Sequence, residues 1–258
     1  MELESVMITG TNRGIGLEFV KQLMQLPKPP RFIFATYRDE STTQALKEIR
    51  DAFKNTQVVL IKMDVTKANE IEEARKIVES KVGEKGLNLL INNAGVLKMQ
   101  GFSEITEENL LFHFSTNTIG PVIVLKEILP LLKKSADRNI NGMKISRAAV
   151  VNIASGGGSI AGLTEQSNLF SRRFLDAMGY RISKAALNMA MRLIAVTIKG
   201  HGILVVNIWA GRMEHSLASN KGERTLSDGI SEMLKTLQQL NDSQHGAFVD
   251  QHGKPVPF

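Results

Sequence analysis

The stretch Val6-Met7-Ile8-Thr9-Gly10-Thr11-Asn12-Arg13-Gly14-Ile15-Gly16 decides how the rest of the chain is read. A short apolar run, taken as a strand over Val6–Thr9, passes straight into a glycine-rich turn, and a helical run follows over Ile15–Gln25. Glycine reaches backbone angles closed to other residues and lets a backbone lie close against a ligand. A helix starting near Gly14 aims free N–H groups and a positive dipole end at that turn, which suits a diphosphate. The spacing is Gly-x-x-x-Gly-x-Gly rather than the commoner Gly-x-Gly-x-x-Gly. Alone, such a cluster is equally a tight turn and nothing more. Its position in the first strand–helix turn of an alternating chain gives it meaning.

The alternation runs outward from there. Arg31–Thr36, Val58–Lys62, Leu87–Asn92, Ala148–Ile153 and Ile203–Trp209 read as further strands, several of them apolar without a period of two. Continuous apolar strands suit a sheet covered on both faces. Thr43–Phe53, Ala68–Val82, Thr106–Leu132 and Met178–Lys199 read as helices between them. The expected fold class is α/β: one doubly wound, Rossmann-type domain over residues 1–258, with a mainly parallel sheet of about seven strands and helices on both faces. Pro121 is expected to kink or divide the long fourth helical stretch. Two long connections, 156–177 and 211–226, leave the carboxyl ends of strands and are expected to carry substrate contacts.

Composition narrows the function. The 258 residues hold 43% hydrophobic side chains, enough for a sizeable core, and carry a formal charge of +6. The densest basic spots are only the pairs Lys133-Lys134 and Arg172-Arg173, so nucleic-acid binding has no motif behind it. The absence of cysteine excludes disulfides and thiolate chemistry. The acidic start Met1-Glu2-Leu3-Glu4 is unlike a secretory signal, and no apolar run is long enough for a membrane helix. A cytoplasmic protein is expected. The five histidines (His113, His201, His215, His245, His252) have no metal-ligand spacing, so no metal is expected.

At the end of the second strand, an NAD-binding chain would place an acid on the ribose 2′-hydroxyl. This chain has Thr36-Tyr37-Arg38. Arg38 and Arg13 are both suited to a 2′-phosphate, which favours NADPH or NADP+ over NADH. Asp39 is the competing detail: a slip of one residue would put an acid in that place.

Tyr180-Arg181-Ile182-Ser183-Lys184 opens the helical run Met178–Lys199. Residues four apart share a helix face. A nearby ammonium stabilises a phenolate and so tunes a tyrosine for acid–base work. The stripe continues through Leu187, Met191, Ile194 and Ile198, which puts the pair at the start of the buried face. A tyrosine capping a core stripe beside a snorkelling lysine is the alternative. The stripe itself either completes the core or faces a partner, leaving a homodimer and a homotetramer open.

With these residues in order, the chain resembles the short-chain dehydrogenase/reductase family over nearly its whole length. The motifs are Thr9-Gly10 with Gly14-Ile15-Gly16, Met63-Asp64-Val65, Asn92-Asn93-Ala94-Gly95, Asn117, Ser155, and Tyr180 with Lys184. Asn12-Arg13 and the ending Gly246-Ala247-Phe248-Val249-Asp250 resemble the carbonyl-reductase-like (sniffer-like) subgroup. The resemblance implies roles. Gly10, Asn12, Arg13, Gly14, Ile15 and Gly16 would bind the dinucleotide, and Asp64 and Val65 would bracket its adenine. Asn92, Ala94 and Gly95 would line its channel, with Gly211 also near the cofactor. Ser155 would bond the substrate carbonyl, Tyr180 would donate the proton, Lys184 would bind the ribose and tune Tyr180, and Asn117 would hold a relay water.

One segment departs from the family. Ala210-Gly211-Arg212-Met213-Glu214-His215-Ser216 stands where the family has Pro-Gly and then a threonine that contacts the nicotinamide. The triple glycine Gly156-Gly157-Gly158 is expected to make its edge of the site mobile. Two functions follow. One is an NADPH-dependent reductase of a small-molecule carbonyl substrate, an aldehyde, ketone or quinone. The other is a non-catalytic dinucleotide-binding sensor or scaffold.

Overall fold

The structure is a computed structural model that describes residues 3–53, 55–138, 141–163, 175–211 and 225–258. Its seven strands form one sheet in the order β3-β2-β1-β4-β5-β6-β7, and every strand pair is parallel. The strands are β1 (Ser5–Ile8), β2 (Phe32–Tyr37), β3 (Gln57–Lys62), β4 (Leu89–Asn92), β5 (Ala149–Ala154), β6 (Leu204–Trp209) and β7 (Phe248–Asp250). The described helices are α1 (Gly14–Met24), α2 (Gln44–Ala52), α3 (Ala68–Val82), α4 (Glu107–Phe114), α5 (Gly120–Asp137), α6 (Met178–Ile198) and α7 (Leu226–Gln239).

The unbroken apolar strands face two cores. On one face Val6, Ile8 and Ile33 pack with Phe19 and Leu23 of α1 and Ile230 and Met233 of α7. On the other, Met7, Phe34 and Leu90 pack with Ile71 and Val78 of α3, Val124 and Ile128 of α5, and Leu187 and Met191 of α6. Successive strand residues therefore alternate between two apolar layers, which is why no polar alternation appears in the sequence.

The strand order reverses between β1 and β4, and their carboxyl ends frame the crevice where such sheets bind ligands. Side chains stitch it. Thr9 Oγ1 accepts from Asn93 N–H at 3.0 Å and Ala94 N–H at 2.9 Å. Asn93 Nδ2 in turn donates to the carbonyls of Thr9 and Gly10, at 2.8 and 2.9 Å.

The fourth helical stretch is indeed divided, but the break precedes Pro121. A π-turn, Ser115–Ile119, separates α4 from α5, and Pro121 sits in the first turn of α5. Proline has no N–H to return along the helix and its ring crowds the preceding turn, so the backbone widens there. Pro130, within α5, is accommodated inside the helix. β7 and α7 lie beyond Ile203–Trp209, the last strand that the sequence pattern predicts. The Thr225 side chain caps α7 by accepting from Asp228 N–H at 3.1 Å, a Thr-x-x-Asp start visible in the sequence.

Candidate active site

The glycine turn is built for close approach. Gly10 has φ +68°, and a Cβ there would lie 2.9 Å from Ala94 Cα. A Cβ on Gly16 would collide with the Gly10 carbonyl and the Asn93 amide. Gly14, at φ +58°, has nothing within 4 Å of such an atom, so the mouth of the turn is open where the α1 N-terminus points. That is the shape a diphosphate cradle needs. Ile15 begins α1, partly buried against the first core, and the extended residue Arg13 precedes the helix with an exposed side chain. Asn12 is half-buried.

Arg38 is tied to this turn through β2. Thr11 N–H and Oγ1 both donate to the Thr36 carbonyl, at 2.8 and 2.9 Å. Gly10 N–H donates to Thr36 Oγ1 at 3.2 Å. β2 ends at Tyr37, so Arg38 is the first residue past the strand and is exposed. Asp39 is turned to the residues that follow it. Its carboxylate accepts from Ser41 N–H at 3.0 Å and Ser41 Oγ at 2.8 Å, and these bonds hold its pKa below the ordinary value.

Asp64 Oδ1 is likewise turned to its own loop, accepting from Thr66 N–H at 2.9 Å. Val65 is buried against Gly120, where a Cβ would come within 2.9 Å of it. Asn92 is buried at the end of β4. Its Nδ2 starts a ladder of amides across in-register strands: Asn92 to Asn152 Oδ1 at 2.9 Å, Asn152 to Asn207 Oδ1 at 3.0 Å, and Asn207 to Asn188 Oδ1 at 3.1 Å. The ladder runs from β4 to α6 beneath the site, and only its first member, Asn92, carries a sequence signal. Ala94 and Gly95 follow on the half-buried loop after β4.

Four expected residues converge beyond Gly95. A Cβ on Gly95 would lie 3.4 Å from Asn117 Oδ1 and 4.0 Å from Lys184 Nζ. Lys184 is buried, donates to the Ile153 carbonyl at 2.7 Å, and stands 5.8 Å from the Tyr180 ring centre. Ser155, just past β5, hydrogen-bonds Tyr180 and accepts from Gly157 N–H at 3.1 Å. Asn117 Nδ2 donates to Ser183 Oγ at 3.0 Å, and that hydroxyl donates to the Tyr180 carbonyl at 2.7 Å.

The charges differ from the simplest expectation. Burial raises the Tyr180 phenol above its ordinary value, and the Ser155 hydrogen bond offsets this only in part. Burial lowers Lys184 to about 8. Near neutrality the phenol is therefore protonated, and the lysine lies close to its own titration.

The triple glycine serves packing. Gly156–Gly158 form a buried 3-10 turn, and a Cβ on Gly158 would lie 2.8 Å from the Lys184 backbone. The expected mobile edge is a tight contact between the Ser155 loop and α6. Gly211 follows β6 with φ +75° and packs against the Gln251 side chain. Arg212, Met213, Glu214, His215 and Ser216 lie outside the described residues, as do Arg172-Arg173 and parts of both long connections. Among the described residues, no cluster of His, Asp and Glu is arranged to hold a metal, and no helix is long and apolar enough to cross a membrane.

A family model described as short chain dehydrogenase matches residues 4–225. The chain belongs to the short-chain dehydrogenase family. Carbonyl reductase Sniffer of Drosophila melanogaster is 30% identical over the whole of both chains, with a TM-score of 0.92. An NADPH-bound carbonyl reductase from chicken fatty liver is 34% identical, again over both whole chains, also at 0.92. Short-chain dehydrogenase anuI of Penicillium roqueforti is 27% identical over 254 residues, covering 98% of this chain and 96% of that protein. Within its family the chain is thus of the carbonyl-reductase-like kind, and it is an oxidoreductase.

Proposed function

We propose that this chain reduces the carbonyl group of an aldehyde, ketone or quinone at the expense of NADPH. The observation that carries the reading is the convergence of Ser155, Tyr180, Lys184 and Asn117 beside Gly95, at the carboxyl ends of β4 and β5. A protein that only bound a dinucleotide would have no use for a buried lysine next to a protonated phenol. The similarity to carbonyl reductases, one of them NADPH-bound, supports it.

The residues present fit the cofactor: the glycine turn would take its diphosphate, and Arg38 with Arg13 would take its 2′-phosphate. Bound NADPH would supply the hydride. The chain's own groups do the rest. Ser155 and Tyr180 hydroxyls orient the substrate carbonyl and donate to its oxygen as negative charge develops. Tyr180 then passes its proton to that oxygen. Lys184 lies close enough to stabilise the phenolate that remains. The experiment is an NADPH-oxidation assay against quinones, aromatic aldehydes and diketones. Binding of NADPH without turnover on any of them would favour a sensor or scaffold.

A further inference from the structure

We infer that His113 is a positioning residue for this site, holding the loop after β4 at Lys98 as Asn117 holds it at Val96. His113 is fully buried on α4, four residues before Asn117. Its Nδ1 lies 2.8 Å from the Asn109 carbonyl, and its Nε2 lies 3.0 Å from Lys98 N–H. A carbonyl only accepts and a backbone N–H only donates, so the ring is neutral, with the proton on Nδ1. Burial agrees, pushing the imidazole pKa down.

Two side chains, His113 in the last turn of α4 and Asn117 in the π-turn that follows, hold the loop at alternate residues, Lys98 and Val96. The held segment follows Gly95, where a Cβ would lie 4.0 Å from Lys184 Nζ.

His113 also faces the proton donor. Its ring meets the Tyr180 ring edge-on, with centres 6.3 Å apart and planes at 75°. Gly179 makes the approach possible, since a Cβ there would lie 2.8 Å from His113 Nδ1. One side chain thus joins the loop after β4, α4 and the start of α6. No histidine-spacing rule would find it, because its partners are backbone atoms.

The test has one arm that is independent of the reductase reading and one that rests on it. In the first, amide exchange is followed by NMR in the cofactor-free protein. His113→Phe keeps an aromatic ring and removes the acceptor; the Lys98 amide is expected to exchange at least tenfold faster. His113→Gln returns an acceptor near the Nε2 position and is expected to stay within threefold of wild type. The ring nitrogens of wild-type protein at pH 7 are expected to report the Nδ1–H tautomer, which requires no variant to fold. An Nε2-protonated or charged ring, unchanged Lys98 exchange in His113→Phe, or equal acceleration in both variants would overturn the proposal. In the second arm, His113→Phe is expected to lower kcat tenfold or more with the KM for NADPH within threefold, and His113→Gln to recover most of it. Normal kcat in His113→Phe would overturn the link to Tyr180. Wild-type protein without turnover would count against the reductase reading and leave the exchange result standing.

Discussion

Asn117 grips Val96 by both of its backbone groups: Oδ1 accepts from Val96 N–H at 2.9 Å, and Nδ2 donates to the Val96 carbonyl at 3.0 Å. The same Nδ2 reaches Ser183 Oγ, whose hydroxyl donates to the Tyr180 carbonyl. One amide therefore links the loop after β4 to the turn of α6 that carries Tyr180. The π-turn at Ser115–Ile119 is what presents it, a local widening of the kind often found at functional sites. Asn117→Ala is expected to lower the unfolding free energy by about 2–3 kcal/mol, because it leaves buried partners unpaired. Urea unfolding measures the loss, and turnover is expected to fall with it.

Lys184 is expected to separate stability from activity. Its pKa near 8 against an ordinary value of 10.5 means that the folded state disfavours the ammonium. Below pH 8 this cost is full; as pH rises from 8 to 10.5 the unfolded chain still holds the proton that the folded chain has released, and stability climbs. Lys184→Met is expected to abolish turnover. It removes the burial cost of the ammonium and also the donor to the Ile153 carbonyl, so its melting temperature relative to wild type is expected to fall as pH rises from 8 to 10.5, as read by thermal melts across that range.

Cofactor choice is expected to rest on Arg38. Arg38→Ala should weaken NADPH binding by roughly tenfold or more, the scale of one lost charge-assisted contact, and leave NADH nearly unchanged. Asp39→Ala should alter the preference little, since its carboxylate is engaged with Ser41. Fluorescence titration with both cofactors decides this.

Gly158 tests the packing role of the triple glycine. Gly158→Ala places a methyl 2.8 to 3.0 Å from the backbone of Lys184 and Ala185 and is expected to cost about 1–3 kcal/mol. Gly200→Ala, with nothing within 4 Å, is the control and should be close to neutral. Chemical denaturation of both proteins gives the comparison.

The fold was legible because its signals are local and repeated. Apolar strands such as Leu89-Leu90-Ile91 have no polar face to hide, and the Gly10–Gly16 turn needs angles and closeness that only glycine allows. Tyr180 and Lys184 were legible because a helix puts residues four apart on one face. What joins them was not. Asn152, Asn207 and Asn188 make their ladder across three separate elements, and each alone is an ordinary asparagine. His113 and Gly158 act on backbone atoms brought to them by the fold. The triple glycine suggested freedom in the sequence and turned out to be closeness in the structure.

The most direct test of the account is the rate of carbonyl-dependent NADPH oxidation by wild-type protein and by Tyr180→Phe, with the Kd for NADPH measured on both. Wild-type turnover on at least one member of the carbonyl panel is expected, with a loss of about 100-fold or more in kcat/KM for the variant, the scale of a removed general acid. The Kd for NADPH should stay within a few-fold. Equal turnover in Tyr180→Phe, or NADPH binding with no turnover in either protein, would contradict it.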